Sequence, residues 1–339
     1  ELERCALTWR VKMRKMASVQ RVLEKKPIVG ADLIEACRVN GWWVVDKKGA
    51  HEVGDLVVYC EVDSWIPHTL APFLTKPGHY PREYLGVEGE RLRTVKLKGQ
   101  LSQGLLLPLV EDNSEEGKDF SEILGITKWE DTRYMANMDA RGNFPDFIPK
   151  TDQERVQNLD RTLEKYFGQS FEVTVKRDGS SLTTFVNGEE SGVCSRNVNL
   201  KETEDSAFWA AANSLSLIPK ILSTGRNLAL QGELMSQKIQ GNYEKVQGIE
   251  WNCFDIYDID TKEYLLPKER RELCKQLRIP HIKVVEEDFV LCHNVDQLLE
   301  MAEGPGVNAG VKREGIVLKS NEAAFSFKAI SNSYLLKHG

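Results

Sequence analysis

The spacing of apolar positions changes character partway along the chain. Between Ala17 and about Leu109, apolar runs are short and close together. Residues 42–46, 55–62 and 104–109 are separated by Gly, Asp and Lys turns, which predicts brief strands with tight connections. Residues 30–39 are the one stretch there with helical character. A small β-barrel carrying a single helix is expected. An acidic stretch at 111–119 and a mixed connector broken by Pro145 and Pro149 follow. Beyond it, 153–166 and 206–215 carry helical periodicity, and 268–277 and 295–301 read as surface helices. Strands are expected at 171–175, 228–234, 251–257, 315–319 and 324–328. The pattern gives an α+β chain: an extension over 1–16, a barrel domain over 17–125, a connector over 126–149 and a second domain over 150–339.

The segment ending in Lys176 carries most information. Phe171, Val173 and Val175 point to one face of its strand, leaving Glu172, Thr174 and Lys176 on the other. Asp178-Gly179 then reverses the chain, so the amine projects from a rigid strand end. Burial or a nearby cation such as Arg177 would favour the neutral, nucleophilic amine. The competing reading is a solvated turn lysine.

Composition limits the alternatives. With 339 residues, 41% hydrophobic and 28% charged, the sequence reads as an ordinary globular chain of two domains. No apolar run approaches a membrane span, and no leader of the usual form is evident. Seven cysteines show no C-x-x-C pair and six histidines do not cluster with them. Reduced thiols in an intracellular protein without a zinc site are expected. A net charge of −6 means that any nucleic-acid contact must use local basic surfaces.

Four further segments complete a chemical set. Leu228–Glu233 brings a carboxylate near a strand end. Trp251–Asp255 offers Phe254 as a stacking surface. Arg313–Lys319 begins with Glu314 and ends with Lys319, and Phe325–Lys328 places Ser326 and Lys328 opposite Phe325 and Phe327. An amine nucleophile, several carboxylates, phosphate-binding cations and an aromatic platform suit nucleotidyl transfer.

This series resembles the covalent nucleotidyltransferase superfamily of polynucleotide ligases and mRNA capping enzymes. Lys176-x-Asp178-Gly179 is similar to its motif I, Ser195-Arg196 to Ia, Glu233 to III, Phe254 to IIIa, Glu314-Gly315 to IV and Lys328 to V, over roughly half the chain. The Lys-x-Asp-Gly-Ser-Ser form and the N-terminal barrel resemble the fifth RNA ligase family, the Naegleria type, whose N-terminal module is an OB fold. So do the 150–155 segment, the Leu101–Gly104 segment and the small number of residues after Lys328. With them the likeness covers nearly all of 17–339. One departure concerns motif V, where Ser326 and Ile330 flank Lys328. A second phosphate-binding lysine is missing there or supplied by Lys319 or Lys337.

The resemblance implies an ATP-dependent RNA ligase that works through lysyl-AMP on Lys176, uses Mg²⁺ or Mn²⁺, and joins 3′-OH and 5′-phosphate RNA ends as a monomer. Asp178 and Glu314 would hold the metal through water, with Glu233 and Lys328 also catalytic. The nucleotide site would draw on Glu154, Arg155, Val175, Arg196, Glu233, Phe254, Lys319 and Lys328. Ion pairs with Arg177 or Arg313 are the competing account for the carboxylates, and core packing for Phe254. In the barrel, Arg91, Arg93, Lys96 and Lys98 share one face if a bulge sits at Thr94-Val95, which would make a stripe for an RNA backbone. Solvated edge charges explain them equally well. One ring of Trp42-Trp43 is expected in the core and the other at the surface. A DNA ligase, a capping guanylyltransferase and an inactive nucleic-acid adaptor stay open as alternatives.

Overall fold

The strand Ala17–Pro27 is long enough to serve two neighbours, and a bulge between Val22 and Glu24 bends it from one to the other. Ala17–Arg21 pairs with Leu56–Cys60, and Val22–Pro27 with Ile34–Val39. The computed structural model describes residues 14–111, 113–131, 139–237 and 239–338. The chain forms two compact units, one from residues up to Val39 and Trp43–Glu130, the other from Asn40–Trp42 and Asp131 onward.

In the first unit a five-stranded sheet runs Leu105–Leu107, Leu56–Cys60, Ala17–Pro27, Ile34–Val39, Trp42–Lys47. A four-stranded sheet holds Thr127–Lys128, Ser64–Pro67, Val87–Arg91 and Arg82–Tyr84. Val19, Val58, Ile66, Phe120 and Ile126 fill the core. This is the barrel architecture of an OB fold, but without the expected helix. Residues 34–39 are a strand because their backbone pairs with Ala17–Pro27 and they bury Ala36, Cys37 and Val39. The apolar spacing that looked helical belongs to a doubly covered strand. Of the expected extension over 1–16, residues 1–13 lie outside the described residues, as does 132–138 of the connector.

The second unit is two sheets of opposed character. The seven-stranded sheet orders Ala140–Asn143, Val198–Leu200, Glu190–Cys194, Ser180–Asn187, Leu228–Ser236, Ile249–Asp258 and Glu263–Tyr264. The helices Ala207–Ser214 and Leu217–Leu222 back it, packing on Leu182, Leu230, Leu234 and Ile256. The five-stranded sheet orders Glu154–Arg155, Ser326–Ile330, Gly315–Ser320, Ser170–Lys176 and Val284–Val290. Its apolar face, with Phe171, Val173, Ile316, Leu318, Phe327 and Ala329, packs against the helix Val295–Ala302. Ser206 and Asn294 accept backbone hydrogen bonds that cap the first and last of these helices.

The helix expected over 153–166 is also replaced. Glu154–Arg155 pairs in parallel with Phe327 and Lys328, and single 3-10 turns follow at Val156–Leu159 and Leu163–Tyr166. Strand pairing takes the backbone groups that a continuous helix would need. The last expected strand, 324–328, is found two residues later, at Ser326–Ile330.

Candidate active site

Lys176 ends a strand of the five-stranded sheet, and Ser180 begins a strand of the seven-stranded one, so Arg177-Asp178-Gly179 crosses between the sheets. The crossing is tight. A Cβ on Gly179 would stand 2.4 Å from the Leu234 carbonyl oxygen, so only glycine fits. The neighbouring strands supply the rest by register. Gly315 lies opposite Lys176, which places Glu314 beside the amine, and Glu233 lies opposite Ser181.

Residues directly opposite one another in a sheet share a face. On the polar face of the five-stranded sheet, Glu172 faces Lys319, Lys319 faces Ser326, and Val317 faces Lys328, which is beside Arg155. The corresponding face of the seven-stranded sheet presents Ser181, Thr183, Gln231, Glu233 and Asn252.

Lys176 Nζ donates to Glu314 Oε2 at 2.7 Å. Burial alone would push this ammonium toward neutrality, but the carboxylates of Glu314, Glu233 and Asp178 outweigh it and hold the amine above its ordinary range. The expectation that Arg177 depresses the amine is corrected here. Arg177 is buried and committed to Glu244 (3.2 Å), Glu250 (3.0 Å) and Asn252 Oδ1 (2.7 Å). Arg313 donates to the Met301, Ala302 and Glu303 carbonyls. These arginines therefore serve partners other than Asp178 and Glu314.

The carboxylates feel their crowding. Burial, with the Glu314 charge adding to it, pushes Asp178 up to about 7, although the Tyr334 hydroxyl draws it down. Burial also pushes Glu233 up to about 7, against the pull of Lys176 and a hydrogen bond from the Gly179 backbone N–H. Glu244 accepts from the Asp178 backbone N–H at 3.1 Å and so ties down the turn.

Two expected phosphate cations converge on a carboxylate not singled out from the sequence. Lys328 Nζ lies 2.9 Å from Asp152 Oδ1, and Arg196 Nη2 lies 3.3 Å from Asp152 Oδ2. Arg155 is buried beside Lys328, Glu154 accepts from the Arg155 backbone N–H at 2.9 Å, and Val175 turns its side chain into the core. Lys337 is exposed on the helix Asn332–His338.

Phe254 is the extra residue of a bulge. Gly232 pairs with Cys253 and Gln231 with Asp255, leaving Phe254 between them and re-aimed. Lys319 is buried beside it, donating to the Phe254 carbonyl at 2.8 Å and ion-paired with Asp255. Its ammonium stands 5.6 Å from the Phe254 ring centroid. Burial pulls the Lys319 ammonium below its usual range. Behind these residues Glu172, fully buried, is ion-paired with Arg270 and Arg271. The expected alternation holds, with Glu172 on the face opposite Phe171, Val173 and Val175, but strand alternation alone does not say that this face is buried.

In the barrel unit the four cations do not share one bulged strand. Arg91 ends the strand Val87–Arg91, where it is paired with Asp63 at 2.6 Å and lies 4.0 Å from the Trp129 ring centroid. Lys96 sits in the separate hairpin Val95–Leu97/Gln100–Ser102, whose turn is Lys98-Gly99 with both φ positive. Burial of Leu92 and Thr94 anchors the chain between them, leaving Arg93 exposed. Trp42 is buried, whereas Trp43 is half-buried with Lys26 Nζ 3.7 Å from its ring centroid.

Comparison with known proteins agrees with this geometry. The RNA ligase family model matches residues 169–330, and an OB-fold domain model matches 16–109. No curated protein matches at a significant level. Among solved structures, Naegleria gruberi RNA ligase with PPi is 47% identical with a TM-score of 0.91, covering 96% of this chain and 99% of that one. A glutamate-to-alanine mutant of the same enzyme with ATP and Mn is 47% identical with a TM-score of 0.90, covering 96% and 99%. An apo aspartate-to-alanine mutant gives 47% and 0.91, covering 96% and 98%. The chain belongs to the RNA ligase family.

Proposed function

We infer that this protein is an ATP-dependent RNA ligase that seals 3′-OH and 5′-phosphate ends through a lysyl-AMP intermediate on Lys176. One observation carries the reading. A lysine at the crossing between two sheets is paired with Glu314 and raised by the charges of Glu314, Glu233 and Asp178, with Lys328 and Arg196 gathered on Asp152.

The Lys176 amine attacks the α-phosphorus of ATP, an N–P bond forms, and the bond to the β-phosphate oxygen breaks to release pyrophosphate. The AMP next passes to the RNA 5′-phosphate, freeing the lysine. The 3′-OH then attacks the activated end and AMP leaves. Lys328 and Arg196 face the phosphates, trading Asp152 for phosphate oxygens. Glu233 accepts from the ribose, and Phe254 receives the adenine on its re-aimed ring, with Lys319 bracing that platform.

A divalent ion fits the donor set. Two buried carboxylates held near 7 mark an excess of negative charge, and all donors are oxygen. Among the described residues no three His, Cys, Asp or Glu side chains converge as a direct cage. Asp178 and Glu314 would hold hydrated Mg²⁺ or Mn²⁺, which supplies positive charge to the α-phosphate and draws carboxylate charge away from the amine.

The reading extends to nicked or broken RNA as substrate, with Arg93, Lys96 and Lys98 as backbone contacts. It also extends to action as a monomer inside the cell, in keeping with the free thiols of the described cysteines. The test is sealing of a nicked RNA duplex with ATP. Lys176→Ala should fail on a 5′-phosphate yet seal a pre-adenylated 5′ end. Failure of the folded variant on both substrates would contradict the assigned order of steps.

A further inference from the structure

Between Lys176 and Asp178, Arg177 turns inward and is buried. The crossing lies outside both sheets, so the Asp178 backbone N–H has no ladder to join, and a buried polar group needs a partner. Glu244, itself buried, answers both needs. Its Oε1 accepts from the Asp178 N–H at 3.1 Å, and its Oε2 accepts from Arg177 Nη2 at 3.2 Å. Arg177 Nη1 donates to Glu250 Oε2 at 3.0 Å and to Asn252 Oδ1 at 2.7 Å. Asn252 lies opposite Glu233, so the same guanidinium fastens the crossing to the strand pair that carries Glu233.

Glu244 is held in turn by its own loop. The backbone there is left-handed at Asn242 (φ 53°) and Lys245 (φ 53°). The Asn242 side chain closes the loop, accepting from the Val246 N–H at 2.9 Å and donating to the Val246 carbonyl at 3.1 Å. Asn308 Nδ2 donates to the Glu244 carbonyl at 2.6 Å, and the neighbouring Tyr243 hydroxyl donates to the Lys312 carbonyl at 2.7 Å. Left-handed residues other than glycine persist only where their surroundings fix them, and such segments gather at functional sites.

We propose that Glu244 is a positioning residue for lysine adenylylation: its two carboxylate oxygens clamp the Arg177-Asp178 crossing and thereby set the aim of the Lys176 amine. A charged acceptor bonds a backbone N–H more strongly than a neutral one, and a reacting group is only as well placed as the shell that supports it. The inference rests on the ligase reading above.

The test begins with the double variant Arg177→Met with Glu244→Met, which removes both buried charges together and so leaves neither unpaired. Its thermal midpoint should stay within a few degrees of wild type. Single-turnover labelling of Lys176 at saturating ATP should still slow roughly 10- to 100-fold, the effect of a misplaced reacting group. The ATP concentration giving half the maximal rate should change less than about threefold, since Phe254, Arg196 and Lys328 stand on other segments. Arg177→Met with Glu244→Gln restores an acceptor for the Asp178 N–H and should recover about fivefold of the lost rate. Asn308→Ala, which touches no buried charge and loosens only the loop, should slow labelling at least about threefold. Full-rate labelling by Asn308→Ala or by the double Met variant, equal rates with Met and Gln at position 244, or a change confined to the half-saturating ATP concentration overturns the proposal. Absence of label on the wild-type protein would instead remove the ligase reading beneath it.

Discussion

The Lys176 amine and the Glu314 carboxylate meet at 2.7 Å although 138 residues of chain separate them. In the nucleotide-free protein this pair keeps the nucleophile protonated, since the surrounding carboxylates outweigh burial and raise the amine. Attack requires the proton to leave. The single-turnover rate of adenylylation should therefore rise roughly tenfold per pH unit between about 6 and 8, and more steeply below 7, where Asp178 and Glu233 also take up protons. A rate independent of pH over that window would contradict a protonated resting state.

Stability should move the opposite way. Asp178 and Glu233 are pushed up to about 7 from ordinary values of 3.8 and 4.5, so the folded protein keeps protons that the unfolded chain releases. Their contribution is complete below about 4 and is lost as pH rises through about 7. The nucleotide-free thermal midpoint should fall by a few degrees between pH 5 and 8. The double variant Asp178→Asn with Glu233→Gln should flatten that decline.

Removing Arg270 leaves Glu172 buried without its main partner, since both side chains are essentially inaccessible. Arg270→Ala should cost about 3–5 kcal/mol, which is about 10 °C of melting temperature for a unit of this size. Arg270→Met combined with Glu172→Met should recover most of the loss. Thermal melts of the three proteins decide it.

Phe254 offers its ring through a bulge rather than from a core position. Loss of a stacking ring costs about 1–3 kcal/mol. Phe254→Ala should then raise the KM for ATP roughly 5- to 100-fold, and Phe254→Tyr should not. Equal KM values for wild type and Phe254→Ala would return the ring to a packing role.

Lys328 shares Asp152 with Arg196 and is the better placed of the two to follow charge on the α-phosphate, being two strand positions from Ile330 opposite Gly315. Lys328→Ala should lower the adenylylation rate constant by roughly 100- to 1,000-fold, the range for losing one donor to developing negative charge. An effect on KM alone would assign Lys328 to binding.

How far the sequence could be read depended on whether the determining contact was local. The Lys176 turn was legible because its strand alternates and then stops at Asp-Gly. Glu233, Glu314 and Lys328 were legible because they stand at the ends of apolar runs; the Glu314 run pairs with the Lys176 strand, the Glu233 run with the strand after the turn, and the Lys328 run with the Glu314 strand. The bulge at Phe254 was not, since it depends on register against Gln231 and Gly232 in another strand. Residues 30–39 and 153–166 looked helical because short apolar spacing fits both periods, and strand pairing took Ile34–Val39 and Glu154–Arg155 out of them. The single bulged strand expected from Arg91 to Lys98 is divided instead between a strand end and a hairpin, because Lys98-Gly99 makes a two-residue turn, which hairpins favour over a continued strand. Asp152 stood inside a segment already noticed, but its pairing with Arg196 and Lys328 needs two connecting segments and a strand brought together. Glu244 left no local signal at all.

The most direct measurement is peptide mapping by mass spectrometry after incubation with ATP and Mg²⁺, without RNA. AMP should be found joined through an acid-labile N–P bond to Lys176, and on no peptide of Lys176→Ala. AMP attached to another side chain, or a protein that stays unmodified while still sealing RNA with ATP, would contradict the mechanism.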